Sequence, residues 1–142
     1  MTCKPIICFL LFITIFRIHA QDNIQSDVET PKIVTKLKLG DELVCNNIKV
    51  RFIDVENDSR CPKKVNCIRA GEAKVVFELY KNEMFIKKAI IEITPTTHLS
   101  NTLPDLYSSL EIKMSAYNLM PYPDVRSKIE KVDYFLQLII ID

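Results

Sequence analysis

The chain has 142 residues, 48% of them hydrophobic, which is enough to bury one core and too few for several domains. Its 19 basic and 18 acidic residues give a formal net charge of +1, and this balance does not indicate a surface that binds nucleic acid. With only two glycines and two histidines, the sequence predicts no glycine-rich phosphate loop, no cofactor and no metal site.

The first twenty residues have the pattern of a secretory signal peptide. Lys4 precedes an apolar run that ends at Phe16, and Ala20 supplies the small residue before a cleavage site. The run is shorter than the roughly 20 apolar residues that cross a bilayer, so we predict no membrane span after cleavage. The predicted location is therefore secreted or periplasmic, where disulfides persist.

The remaining chain divides into two parts by composition. Residues 21–31 are polar, with little apolar surface to bury, and are predicted to be a spacer. Residues 32–142 alternate apolar and polar side chains and are rich in β-branched residues, as is typical of half-buried strands. We predict that they form a single β domain.

Seven segments of this domain have strand-like alternation. Val50 and Phe52 are predicted to share one face of a strand, with Ile53 and Val55 on the other. Asn46-Asn47 and Lys81-Asn82-Glu83 are turn-forming sequences that predict hairpins. The predicted strands are 33–39, 43–45, 48–55, 74–80, 84–93, 110–117 and 134–141.

Two connections are also predicted between these strands. Residues 94–109 form a long connection with two prolines, and Pro121-Tyr122-Pro123 forms a stiff corner. Short turns and the lack of a helical period indicate an all-β fold, an antiparallel β-sandwich or small barrel of about six to seven strands.

The segment between the third and fourth predicted strands contains two cysteines six positions apart, Cys61 and Cys67. We predict a disulfide between them, which on the chain-entropy model stabilises the fold by about 2 kcal/mol. Its main effect would be to fix the shape of the loop. Cys45 is then the odd cysteine, which could pair between chains, pair with one of the other two, or be buried in a strand.

The same segment carries a family resemblance. Asp58 to Pro62 reads DSRCP, and Cys67 is followed by Ala-Gly-Glu-Ala at 70–73 and an aliphatic strand. This pattern resembles a family of small exported proteins found largely in bacteria, whose members also tend to end with a Pro-Tyr-Pro turn and a strand containing tyrosine. Ile68 and Arg69 stand where many relatives have an aromatic residue. The resemblance supports export and a β fold, and implies no activity.

The loop offers two interpretations of its charges. Arg60 could clamp the loop base through Asp58, or four cations could present a basic surface to an anionic ligand, since guanidinium groups match carboxylates and phosphates. The candidate interaction loop therefore comprises Asp58, Arg60, Lys63, Lys64 and Arg69.

The predicted function is that of an exported, non-enzymatic and monomeric β-domain that binds an unknown protein or small ligand. One alternative is a module like a peptidase inhibitor, in which the Cys61–Cys67 loop enters a target cleft. Another is a structural protein of the cell envelope. A third is a hydrolase acting through His98, the one imidazole outside the predicted signal peptide.

Overall fold

The computed structural model describes residues 34–141, which contain eight β-strands and two 3-10 helices. The predicted signal peptide and spacer lie outside these residues. The strands are β1 Val34–Lys38, β2 Glu42–Cys45, β3 Ile48–Asp58, β4 Ala73–Lys81, β5 Met84–Ile93, β6 Asp105–Ser108, β7 Lys113–Met120 and β8 Phe135–Ile141. The two 3-10 helices, Thr97–Leu99 and Lys131–Asp133, lie in connections between strands.

The strands form two antiparallel sheets of four strands each. One sheet has the order β1-β8-β7-β6 and the other the order β2-β3-β4-β5. Buried side chains from both sheets form one hydrophobic cluster, as Phe52 of β3 and Leu136 of β8 illustrate. The predicted all-β sandwich is therefore confirmed, whereas the barrel alternative is wrong because the two sheets stay separate.

The hairpin turns are formed where the sequence predicts them. Asn82 and Glu83 have φ values of 50° and 62°, and Asn46 has a φ of 54°. Two consecutive left-handed residues match the right-handed twist of the flanking strands, and asparagine adopts this conformation at low cost. The turns join β2 to β3 and β4 to β5 in antiparallel register.

One strand was missed in the sequence. β6 lies inside residues 94–109, where a connection was predicted, because its four residues bury only Leu106 and show too little alternation. The next strand begins at Lys113 rather than at residue 110. Ser109 donates its backbone N–H to the Ile112 carbonyl oxygen at 2.9 Å, and this turn occupies the start of the predicted strand.

Two register shifts in β3 decide which residues face the core. Phe52 lies opposite Phe77, but Asp54 lies opposite the neighbouring Val76, so Ile53 is an extra residue in a β-bulge. Val55 is therefore buried on the same face as Phe52, and the prediction that it lies on the opposite face is wrong. A second shift follows Val55 and places Asp58 opposite the buried Ala73.

Truncating Phe52 tests this core. The Phe52 ring is fully buried, so Phe52→Ala leaves a cavity, and we expect the free energy of unfolding to fall by about 3–5 kcal/mol. Phe85→Ala is the matched control, because the Phe85 side chain is 57% exposed, and we expect a loss below about 1 kcal/mol. Urea denaturation measures both values. Equal losses would contradict the placement of Phe52 in the core.

Candidate functional site

The base of the β3–β4 loop is built around a buried arginine. Arg60 is only 2% exposed. Its Nε donates to Asp58 Oδ1 at 2.8 Å and its Nη2 donates to Asp58 Oδ2 at 2.7 Å. This is the bidentate geometry of a strong charge-assisted pair. The same guanidinium donates to the backbone carbonyl oxygens of Leu119 and Pro121. Arg60 therefore ties the end of β3 to the end of β7 in the other sheet.

Two tyrosines complete this base. Tyr134 donates its hydroxyl proton to Asp58 Oδ2 at 3.0 Å. The Tyr122 ring lies 5.1 Å from the Arg60 guanidinium carbon, and its hydroxyl donates to the Cys61 carbonyl oxygen at 2.9 Å. The predicted Pro-Tyr-Pro corner thus packs against the loop. Asp58, Arg60, Tyr122 and Tyr134 are called the buried base below.

The charges of the buried base shift the pKa values of its acidic groups. Burial by itself raises the pKa of Asp58, but the hydrogen bonds and charge of Arg60, with the Tyr134 hydroxyl, outweigh burial and leave the pKa below its ordinary 3.8. Burial raises the pKa of Tyr134 to about 12, and the neighbouring Asp58 carboxylate adds to this rise. At neutral pH Asp58 is therefore ionised and Tyr134 is protonated at this site below the loop.

Gly71 is required because two backbone segments meet at the loop base. Its φ is 68°, and a Cβ built on it would lie 1.9 Å from the Ser59 carbonyl oxygen. The Ser59 N–H donates to the Glu72 carbonyl oxygen at 2.8 Å, and the Cys61 N–H donates to that of Ala70 at 2.8 Å. The glycine of the Ala-Gly-Glu-Ala motif therefore allows the two ends of the loop to be hydrogen-bonded to each other.

The predicted disulfide is present at the neck of the loop. The sulfur atoms of Cys61 and Cys67 are 2.09 Å apart and their Cα atoms are 6.0 Å apart. The Lys63 N–H donates to the Pro123 carbonyl oxygen at 3.0 Å, so the loop is also attached to the Pro-Tyr-Pro corner. One short-range disulfide and backbone hydrogen bonds together hold its shape.

Apart from these attachments the loop is open to solvent. Residues 63–70 are all exposed and are called the tip below. Ile68 at the tip has a relative exposure of 104%, so its side chain makes almost no contact with the rest of the described chain. The cations Lys63, Lys64 and Arg69 lie on the same short stretch. The tip therefore combines two exposed aliphatic side chains, the fully exposed Ile68 and Val65 at 43%, with three positive charges.

The structure divides the predicted interaction residues into two groups. Lys63, Lys64 and Arg69 are exposed on the tip, whereas Arg60 and Asp58 belong to the buried base. The predicted basic surface had four cations, but only three of them are exposed, because Arg60 is buried. The contacts of Tyr134 and of the Leu119 and Pro121 carbonyls with residues 58–60 were missed, because no local pattern links these segments. The available signal was the family resemblance, which combines the DSRCP segment with a Pro-Tyr-Pro turn and a tyrosine in the last strand.

In the part of the chain that the structure describes, neither His98, the residue of the hydrolase alternative, nor Cys45 is hydrogen-bonded or crosslinked to this loop. His98 is half-buried in the first 3-10 helix, and its Nδ1 has no hydrogen-bond partner among the described residues. Its ring lies edge-on to Tyr117, with centroids 6.0 Å apart. Cys45 is a half-buried free thiol on β2. Within residues 34–141, no cluster of three or more histidine, cysteine or acidic side chains is arranged to hold a metal ion.

A cleft of about 440 Å³ lies at the opposite end of the sandwich. The β2–β3 turn and the β6–β7 turn form its walls, with Tyr107 and Lys81 among the lining side chains. None of the predicted interaction residues contributes to it. Among the described residues there is also no helix of the length and apolarity needed to span a membrane.

Comparisons with known proteins return no match, whether the chain is compared with protein-family models, with curated proteins or with solved structures. The resemblance of the DSRCP segment to exported proteins therefore stays a prediction.

Replacing Arg60 tests the buried base. Arg60→Met removes the positive charge and leaves the Asp58 carboxylate buried, so we expect the free energy of unfolding to fall by about 3–5 kcal/mol. Arg69→Met makes the same chemical change on the exposed tip, and we expect a change within about 0.5 kcal/mol. Denaturant titration of the two variants measures the difference. Similar losses would mean that Arg60 is not the clamp of the loop.

Acid should weaken the ion pair between Asp58 and Arg60. The folded-state pKa of Asp58 lies below its ordinary 3.8, so its stabilising effect is complete above about pH 5 and is lost as pH falls below 3.8. We expect the free energy of unfolding to fall more steeply in this range for the wild type than for Asp58→Asn, whose amide does not titrate. Asp41→Asn, an exposed aspartate in the β1–β2 turn, should follow the wild type. Denaturation at successive pH values gives the slope of the free energy of unfolding against pH. Identical slopes for Asp58→Asn and the wild type would contradict a lowered pKa of Asp58 in the folded protein.

Proposed function

We propose that the chain is an exported, non-enzymatic β-domain that binds an acidic protein partner through the tip. One observation carries this proposal: Ile68 stands fully exposed between cationic residues on a loop whose base is buried and crosslinked. Burying an exposed aliphatic side chain against a partner contributes about 1.5–3 kcal/mol to the free energy of binding. Binding would therefore bury apolar surface that the isolated domain leaves exposed to solvent.

The charges of the tip favour a partner of opposite sign. Lys63, Lys64 and Arg69 lie within seven consecutive residues, and no acidic residue occurs between them. Positive charges at the rim of an apolar contact speed association with an acidic surface and disfavour basic partners. An acidic protein with a small apolar depression at the centre of its binding surface fits this arrangement best.

The construction of the loop lowers the cost of binding. Its two ends are joined by the disulfide and by the hydrogen bonds of Ser59 and Cys61. The buried base fixes the orientation of the loop relative to both sheets, through the contacts of Arg60 with Leu119 and Pro121. Because a pre-organised loop loses less conformational entropy on association, more of the contact energy contributes to affinity.

Export is proposed on two grounds. The residues that form the predicted signal peptide precede the domain, and the Cys61–Cys67 disulfide is typical of proteins that fold in an oxidising compartment. The peptidase-inhibitor alternative has less support. A peptide segment that adds to the edge of a peptidase strand is extended, whereas Lys64 has a φ of 65° and residues 68–69 form a bend.

Photo-crosslinking from the tip tests the proposed function. A benzophenone side chain is introduced at Ile68 and, as the control, at Leu110, which is equally exposed but lies in the β6–β7 turn at the other end of the sandwich. On irradiation in the native host, we expect a discrete protein adduct from position 68 and none from position 110. Combined Lys63→Glu, Lys64→Glu and Arg69→Glu substitutions should reduce this adduct at least about tenfold, because they reverse the charge of the tip.

Two results would contradict the proposal. One is the same pattern of adducts from positions 68 and 110, since the tip would then be an ordinary surface. The other is an adduct from position 68 that keeps its yield after charge reversal, which would exclude an acidic binding surface. Circular dichroism of each variant shows whether its strands are intact.

A further inference from the structure

We propose that a second copy of this chain docks against the open edge of β5, so that two β5 strands pair antiparallel about a two-fold axis at Ile90. β5 is the last strand of its sheet and has no neighbour on its outer side among the described residues. This inference concerns a different surface from the tip and does not depend on the proposed function. It departs from the monomer predicted from the sequence.

The edge formed by β5 differs from the other three edges of the sandwich. β5 has 10 residues, whereas the other edge strands β1, β2 and β6 have 5, 4 and 4. Natural sheets often keep their edge strands short, because a long edge exposes a row of backbone donors and acceptors. The four apolar side chains on β5 that are at least half exposed are Met84, Phe85, Ile86 and Ile90. This edge therefore exposes backbone groups together with apolar side chains, of which Ile90 lies in the middle of the strand.

The regular part of the edge has definite ends. Leu79 of β4 lies opposite Lys87, but the next residue, Tyr80, lies opposite Phe85, so Ile86 is an extra residue in a β-bulge. The bulge bends the strand before Lys87. Thr94-Pro95 follows Ile93, and proline has no N–H with which to continue a ladder. Regular pairing is thus confined to residues 87–93, and Ile90 is their midpoint.

The charges of this segment select the same midpoint. With the two-fold axis at Ile90, Lys88 lies opposite the partner's Glu92, and Ile90 lies opposite the partner's Ile90. Lys88 and Glu92 share a face of the sheet with Ile90, because the β4 residues paired with all three alternate with the core residues Val75 and Phe77. Opposite charges directly across an antiparallel pair are favourable and like charges are unfavourable. The outer face is therefore self-complementary in this register.

Other registers lose this match. Moving the axis to Lys88 places two lysines directly opposite each other, and moving it to Glu92 does the same with two glutamates. Moving it to Ala89 sets Lys88 against Ile90 of the partner, and moving it to Ile91 sets Glu92 against Ile90, so neither register pairs Lys88 with Glu92. A slip by one residue would place outer-face side chains opposite inner-face ones, which the pleat forbids. The edge consequently specifies one antiparallel partner, and that partner is itself.

Pairing in this register produces one continuous eight-stranded sheet, with twice the four strands of the single chain. The β3–β4 loop lies at the Ile93 end of β5, because Asp58 pairs with Ala73 and Ala73 pairs with Ile93. Since the two β5 strands run in opposite directions, the two tips would lie at opposite ends of the joined sheet.

A charge swap tests the proposed dimer by sedimentation velocity over a concentration series of the purified protein. We expect the wild type to dimerise, and Lys88→Glu or Glu92→Lys alone to raise the dissociation constant roughly tenfold, since each dimer loses two symmetry-related pairs. The double variant restores opposite charges across the axis and should return to within about threefold of the wild type. Lys36→Glu, on the edge strand β1 of the other sheet, is the control and should leave the equilibrium unchanged.

Chemical crosslinking tests the same dimer without the charge variants, in case these fail to fold. In a Cys45→Ser background, Ile90→Cys should be linked into a covalent dimer by a short bis-maleimide. Leu110→Cys should not, although Leu110 is more exposed than Ile90 (107% against 51%), because it lies far from the axis. A wild type that stays monomeric throughout the series would overturn the proposal. So would a folded double variant that stays as weakly associated as the single variants, or equal crosslinking of positions 90 and 110.

Discussion

The buried pair of Arg60 and Asp58 is the contact on which the loop end of this sandwich depends. Burying two charges is costly, and their mutual attraction compensates only if their remaining hydrogen-bonding groups also find partners. Here the guanidinium reaches two backbone carbonyls of the opposite sheet, and the carboxylate accepts from Tyr134. The pair therefore joins the end of β3 to the opposite sheet, at the point where the β3–β4 loop leaves the sandwich.

This arrangement divides one short basic segment into two parts with different roles. Arg60 contributes its charge to the interior, whereas Lys63, Lys64 and Arg69 face solvent. Gly71 and the disulfide make the division possible, because the first lets the loop ends approach and the second closes the neck. A surface feature that would be mobile on an ordinary loop of this length, 14 residues from 59 to 72, is thus carried on a rigid support. A rigid support is the condition under which few contacts can give useful affinity.

The two surfaces we propose for interaction are of different kinds. The tip offers side chains, and its specificity would come from charge and from Ile68. The β5 edge offers backbone groups, and its specificity would come from the spacing of Lys88 and Glu92 around Ile90. Because they lie on separate parts of the domain, both could be occupied at once, and a two-fold dimer would then present two tips for partners bound at opposite ends.

The sequence by itself determined the class of fold, the hairpin turns and the disulfide. These depend on neighbours in the chain: alternation sets the faces of a strand, asparagine accepts a left-handed turn at Asn46 and Asn82, and Cys61 lies close to Cys67 by spacing alone. Only the tertiary structure decided that Ile53 forms a bulge, that residues 105–108 pair as a strand, and that Arg60 points inward. Each of these depends on a partner distant in sequence, such as Leu119, 59 positions from Arg60, and no local pattern encodes it.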